Sequence, residues 1–193
     1  MTVGFSYNPW WVGKPVKQIE PWTDPQTGKV RNRPFMFYEG RKVNLGYKWK
    51  NIELSWADAF DSITKDGYSF APMLIGAAHG HKNEDNFLSH SIVAVDIDSG
   101  MKISGLLKDE LYNKYGAGFY TSPSHTNSAH RFRILFRPQQ RITDVYDMRH
   151  LYTALIKWYG GDAACVDGAR LFFGTVNAPL YERTDKVLPL NIT

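Results

Sequence analysis

Ser91-Ile92-Val93-Ala94-Val95-Asp96-Ile97-Asp98-Ser99-Gly100 is the stretch from which the rest of the chain can be read. Its β-branched run predicts a buried strand, and Gly100 with the polar residues beside it marks the end. Side chains alternate across a strand, so Asp96 and Asp98 point to the same side. Two carboxylates held side by side repel, and one tends to stay protonated. A divalent cation removes that penalty, so the pair asks for Mg2+ or Mn2+ with a phosphate ligand behind it. Such a pair can also cap a strand or solvate a turn, so its neighbours decide.

Moving outward, strands and helices alternate. Ser55-Trp56-Ala57-Asp58 resembles a capping box and predicts a helix to about Lys65, with Gly67 after it. Ser69–Ala77 reads as a strand, and 104–115 as a helix stopped by Gly116. Gly118–Ser122 and Arg131–Arg137 read as strands around a polar loop. Thr143 is placed to cap a long helix to Tyr159, whose apolar residues Met148, Tyr152, Leu155 and Ile156 fall at helical spacing. Arg170–Gly174 reads as one more strand. Upstream, Phe35–Glu39 and Asn44–Lys50 suggest a strand pair, and residues 1–34, with five prolines, an extended surface segment. Hairpin-like pairs among alternating elements predict an α/β (α+β) fold with mixed sheets.

The 193 residues suffice for one core or two small subdomains sharing a face. They are read as a single domain, 1–193, with a basic aromatic segment over 1–50 and a core over 51–180. A lone cysteine, Cys165, excludes a disulfide framework and a multi-cysteine zinc site. No apolar run approaches the ~20 residues of a membrane span, so no membrane partner is expected. The net charge of +4 is uneven: residues 1–50 hold nine Lys/Arg against three Asp/Glu, the remainder fourteen against sixteen. A basic segment interleaved with Trp and Tyr suits single-stranded nucleic acid, with cations on phosphates and rings on bases.

Two-metal phosphoryl transfer usually needs a third carboxylate. Asp162 and Asp167 are the candidates, both in the Gly160–Arg170 loop. The loop Ser122-Pro123-Ser124-His125 precedes a strand on which Arg131, Arg133 and Arg137 share one face and Phe132, Ile134 and Phe136 the other. Histidine and arginine beside a metal site suit a triphosphate, since Arg offers bidentate donors to phosphate oxygens.

These pieces, in this order, resemble the archaeo-eukaryotic primase superfamily, in particular the primase-polymerase domains of plasmid and phage replication proteins. The matching parts are the Val93–Asp98 strand, then Tyr120–His125 with Arg131–Phe136, then Asp162 with Arg170–Thr175, covering roughly residues 70–180. The resemblance implies an N-terminal α/β unit packed on an RRM-like unit, with the active site between them. It implies that Asp96, Asp98 and the third acid hold two Mg2+ or Mn2+ ions. Ser122, Ser124, His125, His130, Arg131, Arg133 and Arg170 would bind the nucleotide. The implied partners are nucleoside triphosphates, a single-stranded DNA template and a helicase domain or other replication proteins, in the cytoplasm of a prokaryotic host. The motif departs from Ser-x-His, since Pro123 stands two before His125 and His130 competes for its place.

Other readings stay open. His79-Gly80-His81 could hold one metal in a rolling-circle nickase, although Gly stands between the histidines where a bulky apolar residue is expected. A catalytically silent single-strand-binding module gains nothing from carboxylates facing phosphate. A glycosyltransferase using the acid pair would leave the basic N-terminal segment without a role.

Overall fold

The computed structural model describes residues 2–76 and 81–190. The chain runs β1 (Thr2–Val12), β2 (Val16–Thr23), β3 (Val30–Tyr38), β4 (Arg41–Val43), β5 (Lys50–Ser55), α1 (Trp56–Thr64), β6 (Tyr68–Ala71), β7 (Met73–Ile75), β8 (Phe87–His90) and β9 (Val93–Ile97). It continues through α2 (Ile103–Leu106), α3 (Glu110–Tyr115), β10 (Gly116–Thr121), β11 (Phe132–Phe136), α4 (Val145–Tyr159) and β12 (Tyr181–Arg183). The architecture is a mixed α+β one built on four small sheets, ordered β12-β10-β11-β9, β5-β1-β6, β2-β3-β4 and β7-β8. The strands pair antiparallel in each.

The predicted acid-pair strand is β9, at one edge of the four-stranded sheet. That sheet and its helices follow the order strand, helix, strand, strand, helix, strand. Alternation sorts its residues between two layers. Val95, Phe132, Ile134 and Phe136 face α4, where Met148, Tyr152, Leu155 and Tyr159 close over them. Ala94, Tyr120 and Leu135 face the other way, onto Val3 and Phe5 of β1 and Phe60 and Ile63 of α1. Both faces are covered, which explains the near-continuous apolar runs of β9 and β11. Each large apolar side chain buried this way stabilises the fold by roughly 1.5–3 kcal/mol.

Helix α1 begins as the sequence predicts: Ser55 Oγ accepts from the Asp58 amide at 3.2 Å and donates to the Asp58 carboxylate at 2.6 Å. Helix α4 ends at Gly160 in the left-handed region (φ 64°), but Asp144, not Thr143, caps its start, accepting from the amides of Tyr146 and Asp147. The helix expected over 104–115 is two short ones, α2 and α3. The strand expected over Ser69–Ala77 breaks at Pro72, which lacks an N–H for a ladder, into β6 and β7 of different sheets.

The largest difference lies at the N-terminus. The expected surface wrap contains β1, the central strand of its sheet and buried over most of its length. The register breaks between Tyr7 and Val12, so Pro9 sits where no ladder bond is required. Beyond it, β2, β3 and β4 form an exposed arm. Its turn is closed by Asp24, whose Oδ1 accepts from the amides of Gln26 and Thr27, with Gly28 at φ 67°.

Candidate active site

Asp96 lies on the side of β9 that faces away from α4, and Asp98 follows directly after the end of the strand. Arg133 of β11 and Tyr120 of β10 pair with Asp96 in one row across three strands. Arg133 Nε lies 2.9 Å from Asp96 Oδ1, but its N–H is not aimed at that oxygen, so the contact is one of charge and Nε finds no hydrogen-bond partner. The guanidinium donates instead to Tyr120 Oη at 3.2 Å and to the Phe173 carbonyl at 2.6 Å. The side chains of Arg133 and Asp96 are 8% and 15% exposed. The arginine face expected to be open to a nucleotide is therefore buried here, because β1, α1 and Phe172 cover it. Arg137 leaves the site altogether and donates to the Asp185 carbonyl at 2.6 Å.

Burial pushes the Asp96 carboxyl above its ordinary range, Arg133 pulls it back, and neighbouring Asp98 adds to the push. Asp98 follows the last paired residue of β9 and is exposed, with room for a ligand.

The third acid is brought in by the backbone. The Asp162 amide donates to the Asp96 carbonyl at 3.2 Å. That approach requires glycine at 161, where a Cβ would meet Val95 Cγ1 at 2.9 Å and the Asp96 carbonyl at 3.1 Å. Asp162 caps the turn Ala163–Val166 through the Ala164 amide and accepts from Arg170 at 3.2 Å. Of the two candidates, Asp162 is thus the one against Asp96. Asp167 instead lines a neighbouring cleft of about 560 Å³ with Lys82, Arg170 and Phe173.

The loop after β10 folds back on itself. Ser122 is buried, its amide donates to the Arg131 carbonyl, and its carbonyl accepts from the His125 amide. His125 Nδ1 accepts from the Arg131 amide at 3.2 Å, which leaves Nε2 to carry the proton of the neutral ring. Burial and the neighbouring His130 lower the His125 titration below its ordinary value. The two rings meet edge-on at 5.4 Å, and His130 Nδ1 accepts from the Ile103 amide. His130 is thus tied to the segment after Asp98, and His125 to Arg131. Nε of Arg131 is buried and has no hydrogen-bond partner among the described residues. Ser124 is half-buried at the edge of this loop.

The expected strand over Arg170–Gly174 is a bridging segment with a single ladder contact, Phe70 to Phe172. Carbonyls of this segment and of the two residues before it take side-chain donors from distant elements. His90 Nε2 donates to Gly168, Lys82 Nζ to Ala169, and Tyr120 and Arg133 both to Phe173. Lys82, His90, Tyr120 and Phe173 were not among the residues singled out from the sequence. Each acts through a partner at least thirteen positions away, so no local pattern marks them. Lys82 is held below its ordinary value by burial, with Asp167 opposing. His79 lies outside the described residues, and His81 stacks on Tyr47 at 4.5 Å.

Among the described residues no group of three or more His, Cys, Asp or Glu side chains is placed to hold a metal ion. Mg2+ commonly takes one or two carboxylates and completes its shell with water and substrate phosphates. Asp96 and Asp98 fit that demand, and Arg131 precedes Phe132, which pairs with Ile97 between the two acids.

The chain matches no protein-family model and no curated protein. Among solved structures it is similar to the AEP domain of the cyanophage S-2L primase-polymerase (PrimPol), at 12% identity and a TM-score of 0.45, covering 74% of this chain and 77% of that one. That likeness is too loose to assign a family or an activity. No helix of the described residues is long and apolar enough to cross a membrane.

Proposed function

We propose that the protein is a metal-dependent nucleotidyltransferase, a primase-polymerase that makes or extends primers on single-stranded DNA. The observation that carries this reading is the juxtaposition of Asp96 and Asp98 on one open sheet edge with the His125–Arg131 loop and the Lys82–Arg170 cleft. Carboxylates alone would suit many cation sites. Carboxylates beside cationic side chains suit a metal-bound polyphosphate.

Bound Mg2+ or Mn2+ would neutralise the triphosphate and lower the pKa of the attacking 3′-hydroxyl. The chain's own residues supply the rest. Asp96 and Asp98 hold the cation side. His125 offers its Nε2 proton to phosphate oxygens and Arg131 adds positive charge beside it, in keeping with positioning and charge stabilisation as the main sources of rate. Arg133 offsets part of the carboxylate charge from inside the sheet. Asp162 adds negative field beside Asp96 and steers Arg170 toward the cleft, where Lys82 and Phe173 complete a cationic and aromatic wall for the nucleotide.

The test is synthesis without primer: single-stranded template, Mg2+ or Mn2+ and labelled nucleotides should give short products. The Asp96→Asn/Asp98→Asn variant should keep its fold and make none. Normal primer extension by that variant would overturn the assignment.

A further inference from the structure

The arm formed by β2, β3 and β4 has no part in the acid site, yet its register sorts its side chains unevenly. Val16 pairs with Phe37, Gln18 with Phe35, Glu20 with Arg33 and Trp22 with Arg31, and Lys42 pairs with Phe37 from the other side. Direct partners share a face. One face therefore carries Trp22, Phe35 and Phe37 together with Arg31, Arg33 and Lys42, and with a single acid, Glu20, which pairs with Lys42 at 2.9 Å and leaves the two arginines in excess. The Arg33 guanidinium sits 4.3 Å from the Trp22 ring centre, and Lys42 Nζ sits 3.6 Å from that of Phe35. All three cations are exposed. The opposite face packs on the body only at its base, through Tyr38 and Val43, and its tip stands free, with Ile19 70% exposed.

At the base of the arm lies a cavity of about 410 Å³, lined by Trp10, Tyr38, Tyr47 and Lys48 among others. Trp10 is 60% exposed, and Lys48 Nζ lies 4.7 Å from its ring centre. This cavity adjoins the Lys82–Arg170 cleft directly: Leu45 and Gly46 line the cleft, and Tyr47 and Lys48 the cavity.

We propose that this arm face and the cavity at its base form a docking platform for single-stranded nucleic acid, which leads the strand toward the cleft. Ring faces stack on bases without regard to sequence, and cations beside the rings meet the phosphates that join those bases. Charge complementarity commits the surface to a polyanion, because residues 1–50 hold nine Lys/Arg against three Asp/Glu. The spaced aromatics select a strand with unpaired bases over a duplex. The direction of the strand rests on the proposed nucleotidyl transfer; the binding itself does not.

The test measures anisotropy of a fluorescent oligothymidylate longer than the ~4–16 nucleotides one such site covers, without metal or nucleotide, over a range of salt. Trp22→Ala/Phe35→Ala should weaken binding at least about tenfold. Arg31→Gln/Arg33→Gln, which alters only exposed side chains, should lower the salt slope by about 1.4. Unchanged circular dichroism and urea midpoints show that both variants fold. Asp96→Asn/Asp98→Asn should bind as the native chain does. If the native chain makes no products yet binds through the arm, the platform stands and the enzymatic reading fails. Native-like affinity in both arm variants overturns the proposal. So does equal competition by duplex DNA, or capture by anionic vesicles without binding of the oligonucleotide.

Discussion

Replacing Arg133 with Met asks whether the acid pair depends on a counter-charge built into the sheet. Met replaces the side chain with an apolar one of similar length and removes the guanidinium, which lies 5.6 Å from the ring centres of Tyr120 and Phe172. Besides those ring contacts, the charge contact with Asp96 and the bonds to Tyr120 Oη and the Phe173 carbonyl go. The Phe173 carbonyl keeps the Tyr120 hydroxyl as donor at 3.1 Å, so it is not orphaned. The cost then falls on the Asp96 carboxylate, left with little solvent and no counter-charge. Breaking a buried pair from one side costs about 3–5 kcal/mol, and the 15% exposure of Asp96 places the loss near the lower figure. With a urea m-value of about 2 kcal/mol/M, the midpoint should fall by about 1.5 M. The pH dependence carries a sign. Burial holds folded Asp96 above its ordinary 3.8, and losing Arg133 raises it further. From 3.8 up to the folded value the native state binds more protons than the unfolded one, so stability falls as pH rises through that window and stays reduced above it. The deficit of the variant should therefore be full near neutral pH and shrink as pH falls toward 3.8. Adding Asp96→Asn should recover most of it. A loss below about 1 kcal/mol, or one that is the same at acid and neutral pH, would refute the reasoning.

Asp98 has no hydrogen-bond or ion-pair partner among the described residues, so Asp98→Asn should change stability by less than about 0.5 kcal/mol in urea melts while abolishing nucleotide incorporation; a variant that still incorporates nucleotides at the native rate contradicts its role. Gly161→Ala places a methyl against Val95 and the Asp96 carbonyl, and should cost about 1–3 kcal/mol and lower activity by lifting Asp162 away. Chemical denaturation and an incorporation assay read the two effects separately, and retention of both argues that the close approach is dispensable. The His125 ring should titrate below 6.5 by NMR, and His130→Ala should raise its midpoint part of the way back, since burial is the larger cause and remains. A midpoint unmoved by that substitution would show that the two rings do not interact.

Local features are legible in the sequence: the strand that ends at the acid pair, the cap at Ser55, the apolar stripe of α4. Each depends on residues within a few positions of one another. Strand β1 is illegible in the sequence because Pro9 forbids a regular ladder, and only the pairing with β5 and β6 shows that Pro9 falls in a gap between ladder contacts. Alternation placed Arg131 and Arg133 on one face but could not say what covers that face. Phe172, which helps to cover it, lies 39 positions beyond Arg133. The sequence leaves Asp162 and Asp167 as rival third acids; the bond from the Asp162 amide to the Asp96 carbonyl depends on Gly161 packing against Val95, a fact of tertiary contact.

The charge arrangement explains why a buried sheet tolerates this edge at all. A carboxylate and a guanidinium inside a sheet are rarely the most stable filling, and apolar residues of similar volume often do as well or better. Asp96 is held near other carboxylates that raise its pKa, and the one cation within contact, Arg133, is shared with Tyr120 and the Phe173 carbonyl. The offset is partial by construction, so the acid group retains negative charge toward the open side where Asp98 stands. A fold selected only for stability would have filled the row Asp96–Arg133–Tyr120 with Val, Leu or Phe, as the opposite face of the same strands is filled. Keeping the charges in place makes sense if a cation arriving with its ligand completes the balance. The same logic predicts that Asp96→Leu/Arg133→Met, which removes both charges at once, is at least as stable as the native chain and inactive.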